Sequence, residues 1–202
     1  MPWLEPVTLR GAHARLEPLA SEHYDGLLEA VKDGELWKLW YTFIPKAEDM
    51  RKEIDRRLGL QKAGSMLAFT VFDADGKVAG MTTYMNVDTP NRRVEIGSTW
   101  YARRVQRTAL NTEAKRLLLG HAFDTLGCAS VTFETSHENL RSQAAILRLG
   151  ARRDGILRAH MRHRDGTLRD THVFSILRAE WPAVAAHLRA KLEASSHVQT
   201  HD

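Results

Sequence analysis

The chain has 202 residues, with 43% hydrophobic and 27% charged residues and a formal net charge of +4. That composition suits one globular domain large enough to bury its own core, and mild basicity suits anionic small ligands as well as nucleic acid. A single cysteine, Cys128, excludes an intrachain disulfide and fits a reducing cytosol; no run reaches the ~20 apolar residues a spanning helix needs, and MPWLEPVTLRG lacks the charged head and apolar centre of a signal peptide. A cytoplasmic enzyme or binding domain is expected.

In chain order, VTLRGAHARLEPLA alternates as one strand or two short ones. SEHYDGLLEAVKDG follows as a helix, with Ser21 as a candidate cap and Leu27, Leu28 and Val31 on one face. ELWKLWYTFIP is rich in aromatics and stops at Pro45. AEDMRKEIDRRLGLQKAG carries Met50, Ile54 and Leu58 at helical spacing and ends at glycine. SMLAFTVFD and VAGMTTYMNV read as strands turned at Asp75-Gly76, and RRVEIGSTWYA as the next strand. A long helix then carries Leu110, Ala114, Leu117, Leu118, His121 and Ala122 on its apolar side, ending at Gly127. ASVTFETS is a strand, and ENLRSQAAILRLGA a helix opening at Asn139 and closing at Gly150. GILRAHMRHRDGTLRDTHVFSIL is a strand pair turned at Asp165-Gly166, and EWPAVAAHLRAKL a closing helix with Pro182 in its first turn. Without an internal repeat, one domain over residues 1–194 and a polar tail over 195–202 are expected. The fold class is α/β (α+β): a mixed, mostly antiparallel central sheet with helices on both faces.

Between the strand RVEIGSTWYA and the long helix lies a loop with three arginines, Arg103, Arg104 and Arg107, and Gln106. Strand, basic loop, helix is an order that aims backbone N–H groups and a positive dipole end at the loop. Such a site suits phosphate, and arginine favours charge-assisted pairing with it.

Three words here resemble the GNAT N-acetyltransferase superfamily, in particular its RimJ/RimL-like branch, over about residues 9–181. Gln106-Arg107-Thr108-Ala109-Leu110-Asn111, followed by Thr112-Glu113-Ala114, occupies the slot of the family's Q/R-x-x-G-x-G/A. Asn139, Ser142, Leu149 and Gly150 match its N-x-x-S/A helix, and RVEIGSTWYA its central strand. Two small positions of the loop depart, with Ala109 for glycine and Asn111 for glycine or alanine, where close backbone approach to a pyrophosphate is wanted.

The resemblance implies an acetyl-CoA-dependent N-acetyltransferase that acts on a primary amine by direct attack and uses no metal. The pyrophosphate would lie on Gln106 to Thr112 with Arg103 nearby. The pantetheine arm would run along Ser98, Thr99, Trp100 and Tyr101 and meet Asn139 and Arg141, with Ser142 near the sulfur. Many members place a tyrosine acid where this chain has Ile146, so Ser142 or water is expected to protonate the leaving thiolate. The acceptor, a protein N-terminus or a small-molecule amine, stays open, as do a different acyl group such as succinyl and a homodimer. So does a non-catalytic acyl-CoA-sensing module.

Glu95, mid-strand between Val94 and Ile96, must face water, a partner or a site. It is the candidate general base, with Glu134 or water as alternatives. Trp37, Trp40, Tyr41 and Phe43 lie where the resemblance places the acceptor channel; with Tyr84 and Trp100 they are candidate pocket walls, against the ordinary reading as core. His160 and His163, three apart on a strand, face opposite ways, which argues against shared metal ligation. His121 and Cys128 read as core residues, and His197 and His201 as part of the polar tail. Arg148 to Arg169 is arginine-rich without a stacking pattern, so it reads as a solvated sheet face and nucleic acid is not expected.

Overall fold

The computed structural model describes residues 3–198. Its strands are β1 (Leu9–Arg10), β2 (Arg15–Pro18), β3 (Leu67–Phe72), β4 (Val78–Asp88), β5 (Arg93–Tyr101), β6 (Ser130–Ser136), β7 (Arg152–Arg162) and β8 (Leu168–Leu177). Its helices are α1 (Tyr24–Lys32), α2 (Met50–Lys62), α3 (Ala109–Gly120), α4 (Leu140–Arg148) and α5 (Trp181–Val198). The strands form one sheet in the order β1-β2-β3-β4-β5-β6-β8-β7. Every neighbouring pair is antiparallel except β5 and β6, which run parallel.

The central strands are covered on both faces, and their sequence reflects it. β3, LAFTVF, is buried at every residue, as a near-continuous apolar strand under two layers should be. α1 and α2 pack on β3 and β4, and α3 and α5 pack together. At the far edge β7 is exposed along its whole length, which explains why its arginines sit in water. No helix among the described residues is long and apolar enough to cross a membrane.

Two boundaries differ from the periodicity. The long helix does not run to Gly127: α3 ends at Gly120, and a wider π-helical turn spans His121–Thr125. The closing helix, expected over residues 180–192, continues to Val198. The side chain of His197 and the whole of His201 lie outside the described residues.

Candidate active site

β5 and β6 pair only at Arg93↔Ser130, Val94↔Val131 and Glu95↔Thr132. Beyond Glu95 they part, and a cavity of about 510 Å³ opens between them. Its walls are residues 96–101 of β5, residues 133–135 of β6, the loop before α3, the first turns of α3, one side of α4 along its length, and the loop over residues 36–44. Opened in this way, the parting strands expose backbone amides that a closed sheet would have paired.

The loop before α3 is built from its own side chains. Thr108 caps α3, its Oγ1 accepting from the Leu110 amide at 3.3 Å. Gln106 Nε2 donates to the Tyr101 carbonyl at 2.9 Å, and Arg141 Nη2 donates to Gln106 Oε1 at 3.1 Å, which ties α4 to the loop. Left-handed backbone falls at Arg107, with φ +65°, and not at Ala109 or Asn111. Ala109 is the first residue of α3, so its methyl meets no conformational penalty. Gln106, Arg107, Thr108 and Asn111 all line the cavity, as does Arg141.

Other loop residues point elsewhere. Arg104 is engaged with Asp73 and with the Val78 carbonyl. Arg103, expected at the phosphates, is absent from the cavity wall; its backbone amide bonds to the Asp33 carbonyl and its side chain lies against Gly34. The side chains of Ala109, Leu110 and Thr112 do not reach the wall either, and Leu110 is core. On a helix, only residues three and four apart share a face, so Thr108, Asn111 and Lys115 line the cavity while their neighbours turn away.

Opposite the loop, β5 carries a bulge. Met81 pairs with Trp100 and Thr83 with Gly97, so Ser98 and Thr99 together oppose Thr82. Ser98 has φ +48°. A Cβ on Gly97 would stand 2.8 Å from Glu95 Oε1 and 2.7 Å from Met85 Sδ, so a side chain there would displace the ends of both. Trp100 and Tyr101 belong to the cavity wall, but Trp100 Nε1 and Tyr101 Oη are themselves buried and without a partner among the described residues, which costs free energy.

The acidic side of the cavity is β6. Glu134 lines the wall. Glu95 does not, but its carboxylate is 5% exposed behind Gly97 and takes a hydrogen bond from Asn86 Nδ2 at 2.7 Å. Burial first, and the Glu134 carboxylate second, push Glu95 up to about 7, against the pull of Asn86 and Arg169. Such a carboxyl is half ionised near neutrality, as a general base should be. Asn139 Oδ1 caps α4 by accepting from the Ser142 amide at 3.1 Å, and both residues line the wall.

Aromatic residues divide. Tyr41 lines the cavity, with Leu36, Leu39 and residues 42–44 of the same loop. Trp37 and Trp40 do not; Trp40 lies edge-on to Tyr41 and to His163. Tyr84 is buried completely and gives its hydroxyl to the Leu118 carbonyl, so it is core and no part of the pocket wall. Trp100 lines the wall although it is 3% exposed. His163 lies past the end of β7, buried against Ser136, while His160 reaches Thr171; His121 is drawn towards the Tyr84 hydroxyl. Cys128 is buried, and burial raises its thiol to about 11, which makes it inert.

Three residues that the sequence did not single out hold the site together. Lys115 is 6% exposed and lines the cavity, its Nζ donating to Thr99 Oγ1 at 2.8 Å and Thr82 Oγ1 at 3.2 Å. Burial lowers its ammonium to about 7. Arg57 is 1% exposed and reaches from α2 to Thr83 and to the Ser98 carbonyl. Arg164, at the β7–β8 turn, donates to the Trp37 carbonyl at 3.1 Å and the Ile44 carbonyl at 2.6 Å, pinning the 36–44 loop over the cavity. For Lys115 the signal was present: a lysine between Ala114 and Leu118 interrupts the apolar stripe of α3.

Comparison with known proteins places this geometry. A family model described as an acetyltransferase (GNAT) domain matches residues 13–152. The chain is 32% identical over 107 residues to YdaF of Bacillus subtilis (strain 168), which carries the provisional name of a ribosomal N-acetyltransferase. That match covers 53% of this chain and 57% of the relative, so the chain spans little more than half the length of the curated protein it matches. Among solved structures, a GCN5-related N-acetyltransferase from Brucella melitensis is 34% identical with a TM-score of 0.84, over 95% of this chain and 87% of that one. RimJ of Mycobacterium smegmatis, solved with CoA-disulfide, shares the fold at a TM-score of 0.76 and 22% identity, over 92% of this chain and 93% of its own.

Proposed function

Since the chain belongs to the GNAT acetyltransferase family and is thus an acyl-CoA-dependent N-acetyltransferase, we propose that it moves an acetyl group from acetyl-CoA to the α-amino group of a protein N-terminus. The observation that carries this reading is the parting of β5 and β6 after Glu95, with the capped, arginine-bearing start of α3 on one side and Glu134 on the other. The first side suits a pyrophosphate and the second an ammonium. The ribosomal name of the Bacillus subtilis relative supports a protein acceptor over a small amine.

Bound acetyl-CoA supplies an activated thioester. Arg107, Arg141 and the first amides of α3 hold its pyrophosphate. Backbone N–H groups of the parted β5 polarise the carbonyl. Glu95, directly or through water, takes the proton that makes the amine nucleophilic. The nitrogen bonds to the carbonyl carbon, the carbon–sulfur bond breaks, and the second proton of the nitrogen passes to the leaving thiolate through the Ser142 hydroxyl or a water, which is left unchanged. Incubation with acetyl-CoA and a panel of peptides bearing the N-termini of ribosomal proteins tests the reading. One added acetyl group on the peptide α-amine, read by mass spectrometry, supports it; acetylation confined to small amines contradicts the protein acceptor.

A further inference from the structure

A buried lysine without an acidic partner is costly, because nothing offsets its lost hydration. Lys115 is such a residue: no carboxylate pairs with it among the described residues, and its hydrogen bonds go to two threonine hydroxyls. Those hydroxyls are not arbitrary. Thr99 belongs to the β5 bulge and Thr82 is the β4 residue opposite that bulge. The two are also bonded to each other at 2.8 Å, and Thr99 Oγ1 donates on to the Gly97 carbonyl at 3.3 Å.

At a bulge the ladder loses its regular backbone bonds. Here the side chains of Thr82, Thr99 and Lys115 supply a substitute cross-link where β5 leaves β6. From the opposite face, Arg57 holds the other bulge residue through the Ser98 carbonyl and takes Thr83 as well. Thr82 and Thr83, adjacent on a strand, point to opposite faces, so the bulge is gripped from both.

We propose that Lys115 is a positioning residue: through Thr99 and Thr82 it fixes the bulged end of β5 in the shape that aligns the acyl thioester. The assignment of that thioester rests on the function proposed above; the grip on the bulge does not. Lys115 acts on the reaction through the strand. Its effect falls on alignment of the acyl group and thus on kcat, while the loop before α3 continues to hold the nucleotide end.

The test compares the native chain with Lys115→Met, which keeps length and removes the charge, and Thr99→Val, which removes the receiving hydroxyl. Backbone amide exchange in residues 96–101 should quicken at least tenfold in either variant, while β3 stays unchanged. In the double variant it should be no faster than in the quicker single one. Melting temperature should not fall in Lys115→Met, because an unpaired buried charge is removed. With the peptide acceptor, kcat should drop at least tenfold while acetyl-CoA affinity stays within threefold. Unaltered exchange in residues 96–101, in Thr99→Val alone if Lys115→Met does not fold, overturns the proposal. Quicker exchange with unaltered kcat leaves Lys115 a structural residue and overturns it too. Failure of the native chain to bind acetyl-CoA would instead remove the proposed function, and the exchange data would still decide the grip.

Discussion

Asn86 reaches Glu95 across the β4–β5 pair, Nδ2 to Oε2 at 2.7 Å, from a backbone held at φ +49°. A non-glycine residue in left-handed backbone is uncommon, and asparagine is among those that tolerate it best. The pair keeps a buried carboxylate hydrogen-bonded without neutralising it.

Glu95→Gln follows from this. The folded carboxyl is raised from 4.5 to about 7, so the native state holds a proton that the unfolded chain has lost between those values. Native stability therefore declines as pH rises from about 4.5 to about 7, by up to about 3 kcal/mol, and the whole penalty stands above 7. Glu95→Gln should unfold at a higher denaturant concentration than the native chain at pH 8 and at the same one near pH 4. Turnover of the native chain should rise through pH 7, and in Glu95→Gln that inflection should vanish.

Arg107 combines a strained backbone with a cation on the cavity wall. Arg107→Gly should relieve left-handed strain and stabilise the fold by up to about 1 kcal/mol. The same variant should weaken acetyl-CoA binding about tenfold, as expected for the loss of one charge-assisted bond of about 1.4 kcal/mol. Denaturant melts and calorimetry read the two effects separately.

Arg164→Met should leave the Trp37 and Ile44 carbonyls without their donor and free the 36–44 loop. The KM for the peptide acceptor should rise about fivefold, or about 1 kcal/mol, with acetyl-CoA affinity unchanged. A matching loss of acetyl-CoA affinity would place the loop on the other side of the site.

Tyr84→Phe distinguishes core from pocket. Loss of a buried hydroxyl that serves the Leu118 carbonyl should destabilise by about 1 kcal/mol. The acceptor KM should not move.

Most of the fold was legible because its signals are local. Alternation marked the strands, Asp75-Gly76 and Asp165-Gly166 marked the turns, and three short words marked the loop, the capped helix and the parting strand. What stayed hidden depends on direction. Arg103 and Arg107 read alike in sequence, yet a change of backbone region at Arg107 turns one into the cavity and leaves the other against Gly34. Tyr84 and Tyr41 are both aromatics near an expected channel, and only tertiary packing sorts one into the core. Lys115 interrupts the apolar stripe of α3, but its partners Thr82 and Thr99, like Thr83 and the Ser98 carbonyl that Arg57 reaches, stand on other elements, and a helix pattern does not show what a side chain will meet there.

Calorimetric titration of acetyl-CoA into the native chain and into Asn111→Gly tests most directly whether the opening between β5 and β6 is an acyl-CoA site. With Ala109 inside α3 and Asn111 on the cavity wall, the native loop should already admit the pyrophosphate. Micromolar binding by the native chain, little changed by Asn111→Gly, is the expected result. Binding by Asn111→Gly alone, or by neither chain, would contradict it.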